Sequence, residues 1–141
     1  ACFRGYKSIA VSVVQIDNGK RDFDFTLANE YVEKLLLNGV ANIIPQGAIL
    51  NINVPNIPWQ DVKGFKVTRL GKRHHAEPVI KAKDPRGKDI FWVGPVGGEL
   101  DAGEGTDFYA VEQGYVSITP LHIDLTQYQA MSSTEQWLQE L

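Results

Sequence analysis

Short apolar runs bounded by glycine, proline and asparagine make up most of the chain, and helical spacing marks one longer stretch near residue 30. The run 9–14 (IAVSVV) is apolar, largely β-branched and nearly unbroken, which predicts a strand buried on both faces. Asp17, Asn18, Gly19 and Lys20 supply a turn. Leu27, Tyr31, Val32, Leu35 and Leu36 then recur at helical spacing as far as Asn38 and Gly39, a predicted C-cap, with Asp24 or Thr26 placed to cap the start. The run 49–54 alternates: Leu50, Ile52 and Val54 share one face, Asn51 and Asn53 the other, and Pro55 ends it. A further strand is predicted over 65–70. The order strand, helix, strand predicts a parallel crossover unit, which is a thin basis for a sheet, because a parallel sheet needs helices on both faces.

The stretch 77–93 predicts a hairpin with Asp84, Pro85, Arg86 and Gly87 at its tip. Proline presets φ at the second turn position, aspartate bonds the nearby backbone, and glycine accepts the left-handed residue. A glycine-rich acidic loop follows, with Glu99, Asp101, Glu104 and Asp107. Thr106 is placed to cap a short helix through Val111, with Gly114 at its end. A strand over 115–119 is expected to close at Pro120, and 121–125 either extends it or swings away. Ser132 and Glu135 form a capping box that opens a last helix over 132–141, with Trp137, Leu138 and Leu141 on one face.

Composition narrows the class. The 141 residues are one domain's worth of chain, and 43% hydrophobic content suffices for one core, so residues 1–141 read as a single unit. Fourteen basic against 17 acidic side chains, net −3, exclude a polybasic binder of nucleic-acid polymer and an acidic tail as default readings. The one cysteine, Cys2, cannot form an internal bridge, so a reducing, cytoplasmic home is expected. No apolar run approaches the ~18 residues of a membrane span, so no membrane partner is expected.

Several residue groups carry candidate chemistry. Arg69, Lys72, Arg73, His74 and His75 cluster after a predicted strand, and Arg69, Arg73 and His74 are candidates for holding a phosphate or another anion. The plainer reading is a solvated surface turn. The four acids of the glycine-rich loop suit a hard cation chemically, but they match no EF-hand spacing and read better as solvated. Gly94, Gly97 and Gly98 match neither phosphate-loop fingerprint, and Pro95 removes a donor. Nothing in the sequence places Cys2 with His74, His75 or His122 as a nucleophile pair, and His122 reads as a hydrogen-bonded structural residue. Trp137 and Leu138 on a short terminal helix, and Pro85, Arg86 and Trp92 on a projecting hairpin, are candidate contacts between protomers. A short helix and an isolated hairpin are both marginal alone. Docking within the chain is the simpler alternative.

In order along the chain come Asn51 to Pro55 (NINVP), Gly64 to Arg69 (GFKVTR), Asp84 to Gly87 (DPRG), Trp92 to Gly94 (WVG), the stretch 106–121 (TDFYAVEQGYVSITPL), and Asp124 with Leu125. Together these motifs resemble the carboxy-terminal portion of the survival protein SurE family. The resemblance implies a Rossmann-like α/β phosphatase that uses a divalent cation, magnesium or manganese, to hydrolyse nucleoside 5′- and 3′-monophosphates and in some members polyphosphate. It also implies homodimers or tetramers built with the hairpin and the final helix. The family holds its metal on two adjacent aspartates in an Asn-Asp-Asp-Gly segment, with a serine and an asparagine from later loops. This sequence has no adjacent aspartate pair, so no family metal ligand transfers onto a numbered residue. The expectation is therefore the later part of such an enzyme, lacking turnover by itself. An alternative is a non-catalytic assembly module.

Overall fold

The computed structural model describes residues 4–16, 22–74 and 78–140. Cys2, the turn at Asp17 to Lys20, His75, the hairpin's first residue Glu77, and Leu141 lie outside the described residues. The class is mixed α/β, as expected. The central sheet holds β1 (Ser8–Val14), β2 (Ala48–Pro55), β8 (Val116–His122) and β3 (Phe65–Val67), in the order β1-β2-β8-β3. β1 and β2 run parallel, joined through α1 (Thr26–Leu37) and α2 (Val40–Ile43), which is the crossover unit the pattern predicts. β8 pairs antiparallel with β2 and parallel with β3.

The alternation in β2 decides which face holds the core. Leu50, Ile52 and Val54 are buried, and Leu27, Ala28 and Tyr31 of α1 pack on Ile52, Val54 and Val116. Val40 and Ile44 extend this layer over Ala48 and Leu50. Full burial of a side chain such as Ile52 contributes about 1.5–3 kcal/mol. Phe25, not Asp24 or Thr26, occupies the cap position of α1 and makes no side-chain cap bond; Asp24 Oδ1 accepts from the Thr26 amide at 2.8 Å. Gly39, at φ 75°, turns the chain out of the helix.

The opposite face is polar, as Asn51 and Asn53 imply. Asn53 pairs with Ser12 on one side and with Ser117 on the other, and its Nδ2 donates to Ser117 Oγ at 3.3 Å. Thr68 and Thr119 share a hydroxyl hydrogen bond of 2.7 Å. The short helix α3 (Asp107–Glu112) covers part of this face with buried Ala110 and Val111. Its cap is the predicted one: Thr106 Oγ1 accepts from the Tyr109 amide at 3.1 Å, and Gly114 leaves at φ 81°.

Two smaller strand pairs lie outside the central sheet. β4 (Lys72–Arg73) lies antiparallel to β7 (Glu99–Asp101), and β5 (Ile80–Lys83) with β6 (Asp89–Trp92) forms the predicted hairpin. At its tip Asp84 Oδ1 accepts from the amides of Arg86 and Lys88, both at 2.8 Å, and Gly87 has φ 81°.

Four further expectations are corrected. β1 is not buried on both faces: among the described residues it is an edge of the sheet, and Ala10, Val11 and Ser12 are exposed. The strand expected over 65–70 is regular only to Val67, and Arg69 continues as an isolated parallel bridge to Thr106. Pro120 does not close β8, which continues to His122. The amide of Val116 donates to Gly64 and the carbonyl of Ile118 accepts from Thr68, so alternate residues of β8 address β3. β3 has ended by the level of Pro120, and its missing N–H breaks no ladder bond. The last helix, α4, spans Tyr128–Gln139, so Ser132 lies inside it and the capping box is unused. No helix among the described residues is long and apolar enough to cross a membrane.

Candidate functional site

The basic segment 69–74 and the acidic loop 94–107 do meet, stitched together mainly by backbone. The Arg69 amide donates to Gly105, the Asp107 amide to Arg69, and the His74 amide to Gly98. Side chains then close the junction. Arg69 binds Asp101 through both guanidinium arms, at 2.6 and 3.1 Å. That hydrogen bond holds the Asp101 carboxyl below its ordinary value and raises Arg69. Asp107, buried at the first turn of α3, accepts from the Gly71 amide at 2.7 Å and from the Phe108 amide at 3.0 Å.

These engagements decide which predicted residues are available. Arg69 is committed to Asp101. The Arg73 guanidinium stacks 4.7 Å from the Phe108 ring centre and reaches the Gly97 carbonyl. It also lines a cavity of about 440 Å³ whose walls include Gln15, Asn51, Asn53 and Glu112. His74 is exposed. Arg69 and Arg73 therefore serve different contacts, and Arg73 borders a concave surface.

The acidic loop does not fit a divalent cation. Such an ion needs several oxygen ligands converging on one point. Asp101 faces Arg69, and Asp107 faces two amides. Among the described residues no group of three or more His, Cys, Asp or Glu side chains is placed to hold a metal ion.

The candidate contacts between protomers are all at the surface. Pro85 and Arg86 sit on the exposed hairpin tip, and Trp92, at the end of β6, is exposed. Lys81 and Lys83 both reach Asp89 across the hairpin, at 2.6 and 3.1 Å, and lower its carboxyl pKa. No described residue of α4 is buried: Tyr128, Met131, Trp137 and Leu138 are all more than half exposed. The start of α4 is held by Asp124, which accepts from the Thr126 amide and the Tyr128 hydroxyl, bringing its pKa down to about 2.

Two features are absent from the sequence reading. Gly71 has no room for a side chain, since a Cβ there would lie 2.2 Å from Phe108 Cδ2. An open groove of about 910 Å³ runs between β1 and α1, lined by Val11, Val13, Phe25, Ala28, Val32 and Leu36. The apolar residues of α1 signal a helix but not that two of its flanks carry apolar surface.

Comparison with known proteins points one way. The family model described as Survival protein SurE matches residues 1–77. A protein of Stenotrophomonas maltophilia (strain R551-3), named 5'-nucleotidase SurE, is 48% identical over 136 residues, covering 96% of this chain and 52% of its own length. One of the same name from Vibrio cholerae serotype O1 (strain ATCC 39315) is 48% identical over 138 residues, covering 98% and 53%. Among solved structures, a SurE protein from Aquifex aeolicus superposes with a TM-score of 0.65 at 40% identity, over 96% of this chain and 53% of that one. The chain spans about half the length of the curated relatives it matches.

Proposed function

The chain belongs to the survival protein SurE family, and from that premise we propose that it is part of a cytoplasmic, metal-dependent phosphatase acting on nucleoside 5′- and 3′-monophosphates, with polyphosphate as a further substrate. The observation that carries this reading is the 48% identity, over 96% of the chain, to a relative named as a 5'-nucleotidase. In this reading the chain supplies sheet core and assembly surface, and the magnesium or manganese ion is held by residues the chain does not contain. The engaged carboxylates of Asp101 and Asp107 support that division of labour. Of the three anion-binding candidates, this reading assigns the substrate's phosphate to Arg73 and His74, Arg69 being paired with Asp101.

A chimera tests the proposal. These 141 residues replace the matched half of the Vibrio cholerae relative, and phosphate release from AMP is followed with manganese. Metal-dependent hydrolysis supports the reading, and a folded chimera without it counts against it.

A second reading, an assembly module that joins protomers without catalysis, is favoured by one observation: α4 leaves Met131, Trp137 and Leu138 uncovered. Large apolar side chains concentrated on one exposed helix mark contact surface more often than solvent surface. Together with Pro85, Arg86 and Trp92 of the hairpin, they are the residues this reading assigns to a homodimer or tetramer. The two readings are compatible.

A further inference from the structure

Resting on the nucleotidase reading above, we infer that the polar cavity bordered by β2 and α3 holds the base of a guanine nucleoside, read by Glu112 and Asn51. The cavity, about 440 Å³, is the size of sites that take a whole small ligand. Val14, Ile16, Phe108 and Val111 give it apolar walls, and Asn51 and Asn53 of β2 add carboxamides. Asn53 is engaged, donating to Ser117. Asn51 lies on the same face two residues earlier, and among the described residues its carboxamide has no hydrogen-bond partner. Two carboxylates line the cavity as well. Glu99 lies opposite Arg73 in the β4–β7 ladder, yet among the described residues neither Glu99 nor Glu112 makes an ion pair. Glu112 is the last residue of α3, whose last turn carries no basic side chain, and this is the end at which the helix dipole disfavours an acid. Among the described residues no group donates to it.

The chemistry of these two side chains selects the base. An ionised carboxylate only accepts hydrogen bonds, whereas a carboxamide both donates and accepts. Guanine sets two donors side by side, N1–H and the N2 amino group, next to the acceptor O6. Glu112 takes both donors, and the Asn51 amide nitrogen donates to O6. Adenine and cytosine carry a ring-nitrogen acceptor where guanine carries N1–H, so each turns a lone pair toward the carboxylate. Uracil has a single donor between two acceptors. The apolar walls cover the faces of the base, and Arg73, which borders the same cavity, stays available for the phosphate.

The test is titration of the purified chain with guanosine, adenosine and cytidine, followed by amide NMR shifts. Guanosine carries no phosphate, so its binding needs neither metal nor catalytic group. Saturable shifts at 51–53 and 108–112 are expected, with guanosine bound about tenfold or more tightly than the other two. Glu112→Gln, at an exposed position, is expected to erase that preference. Asn51→Leu is expected to weaken guanosine by about tenfold, with circular dichroism confirming that both variants fold. No saturable shift with guanosine overturns the assignment. Adenosine bound as tightly, or an unchanged preference in Glu112→Gln, overturns it too. Hydrolysis is not the readout, so a chimera that releases no phosphate from AMP counts against the nucleotidase reading and leaves the base site standing.

Discussion

The Asp107 carboxylate accepts a 2.7 Å hydrogen bond from the backbone amide of Gly71, 36 residues earlier in the chain. This bond ties the start of α3 to the basic segment, and it needs two residue types at once. Asp107 must be short and end in an acceptor, because its Oδ1 takes the Gly71 and Phe108 amides together. Gly71 must lack a side chain, because the Phe108 ring and the Asp101 carbonyl already fill the space.

Asp107→Ala is therefore expected to lower folding stability by ~1–3 kcal/mol, the cost of leaving the half-buried Gly71 and Phe108 amides unpaired. Gly71→Ala is expected to cost a similar ~1–3 kcal/mol by overpacking, since its Cβ would sit 2.6 Å from the Asp101 carbonyl oxygen. Urea unfolding followed by tryptophan fluorescence measures both. A wild-type midpoint in Gly71→Ala would show that the Phe108 ring gives way without strain.

Ile52→Ala empties a fully buried site between α1 and the sheet and is expected to cost about 2–5 kcal/mol in the same assay. Trp137→Ala removes a larger side chain from exposed α4 and is expected to cost the protomer no more than ~0.5 kcal/mol. The ordering is the informative part. A Trp137→Ala cost equal to that of Ile52→Ala would mean that α4 packs on the protomer's own core.

The assembly reading makes a separate prediction from the same residue. Trp137→Ala, and deletion of 81–88 in the hairpin, are each expected to move the sizing-column elution toward monomer. Unchanged elution of both variants would remove the hairpin and α4 from the assembly surface.

Acid should loosen the start of α4 first. Hydrogen bonds from Tyr128 and Thr126 depress Asp124 from 3.8 to about 2, so the folded state favours its ionised form. That contribution is fully present above the unfolded value and fades as pH falls from 3.8 through about 2. The side chain is exposed, so the effect is local fraying and not global unfolding. Tyr128→Phe is expected to return the Asp124 pKa toward 3.8, read by carboxyl-carbon NMR titration. A titration unchanged in Tyr128→Phe would assign the depression to the other neighbours, Thr126 first.

What was legible in the sequence was local. Leu50, Ile52 and Val54 announce the buried face of β2, because a strand's period is fixed by its own pleat. Asp84 to Gly87 and the Thr106 cap are equally self-contained, each needing only residues two to four positions away. The misread elements depend on neighbours. Pro120 is tolerated because β3 ends beside it, which no window around residue 120 records. Ser132 and Glu135 have the capping pattern, yet the helix starts earlier, at Tyr128 beside Asp124. The site divides in the same way. Arg69, Arg73 and His74 were visible as a basic run, but the partner that engages Arg69 lies 32 residues on, and Asp107's buried role depends on Gly71.

The claim that these 141 residues contribute scaffold and assembly surface, with the cation ligands elsewhere, is most directly tested on the purified chain. Phosphate release from AMP is measured with manganese or magnesium added, beside the Vibrio cholerae relative as the positive control. The account predicts no metal-dependent release above the protein-free rate. Clear release that requires the added metal and disappears with a chelator would contradict it.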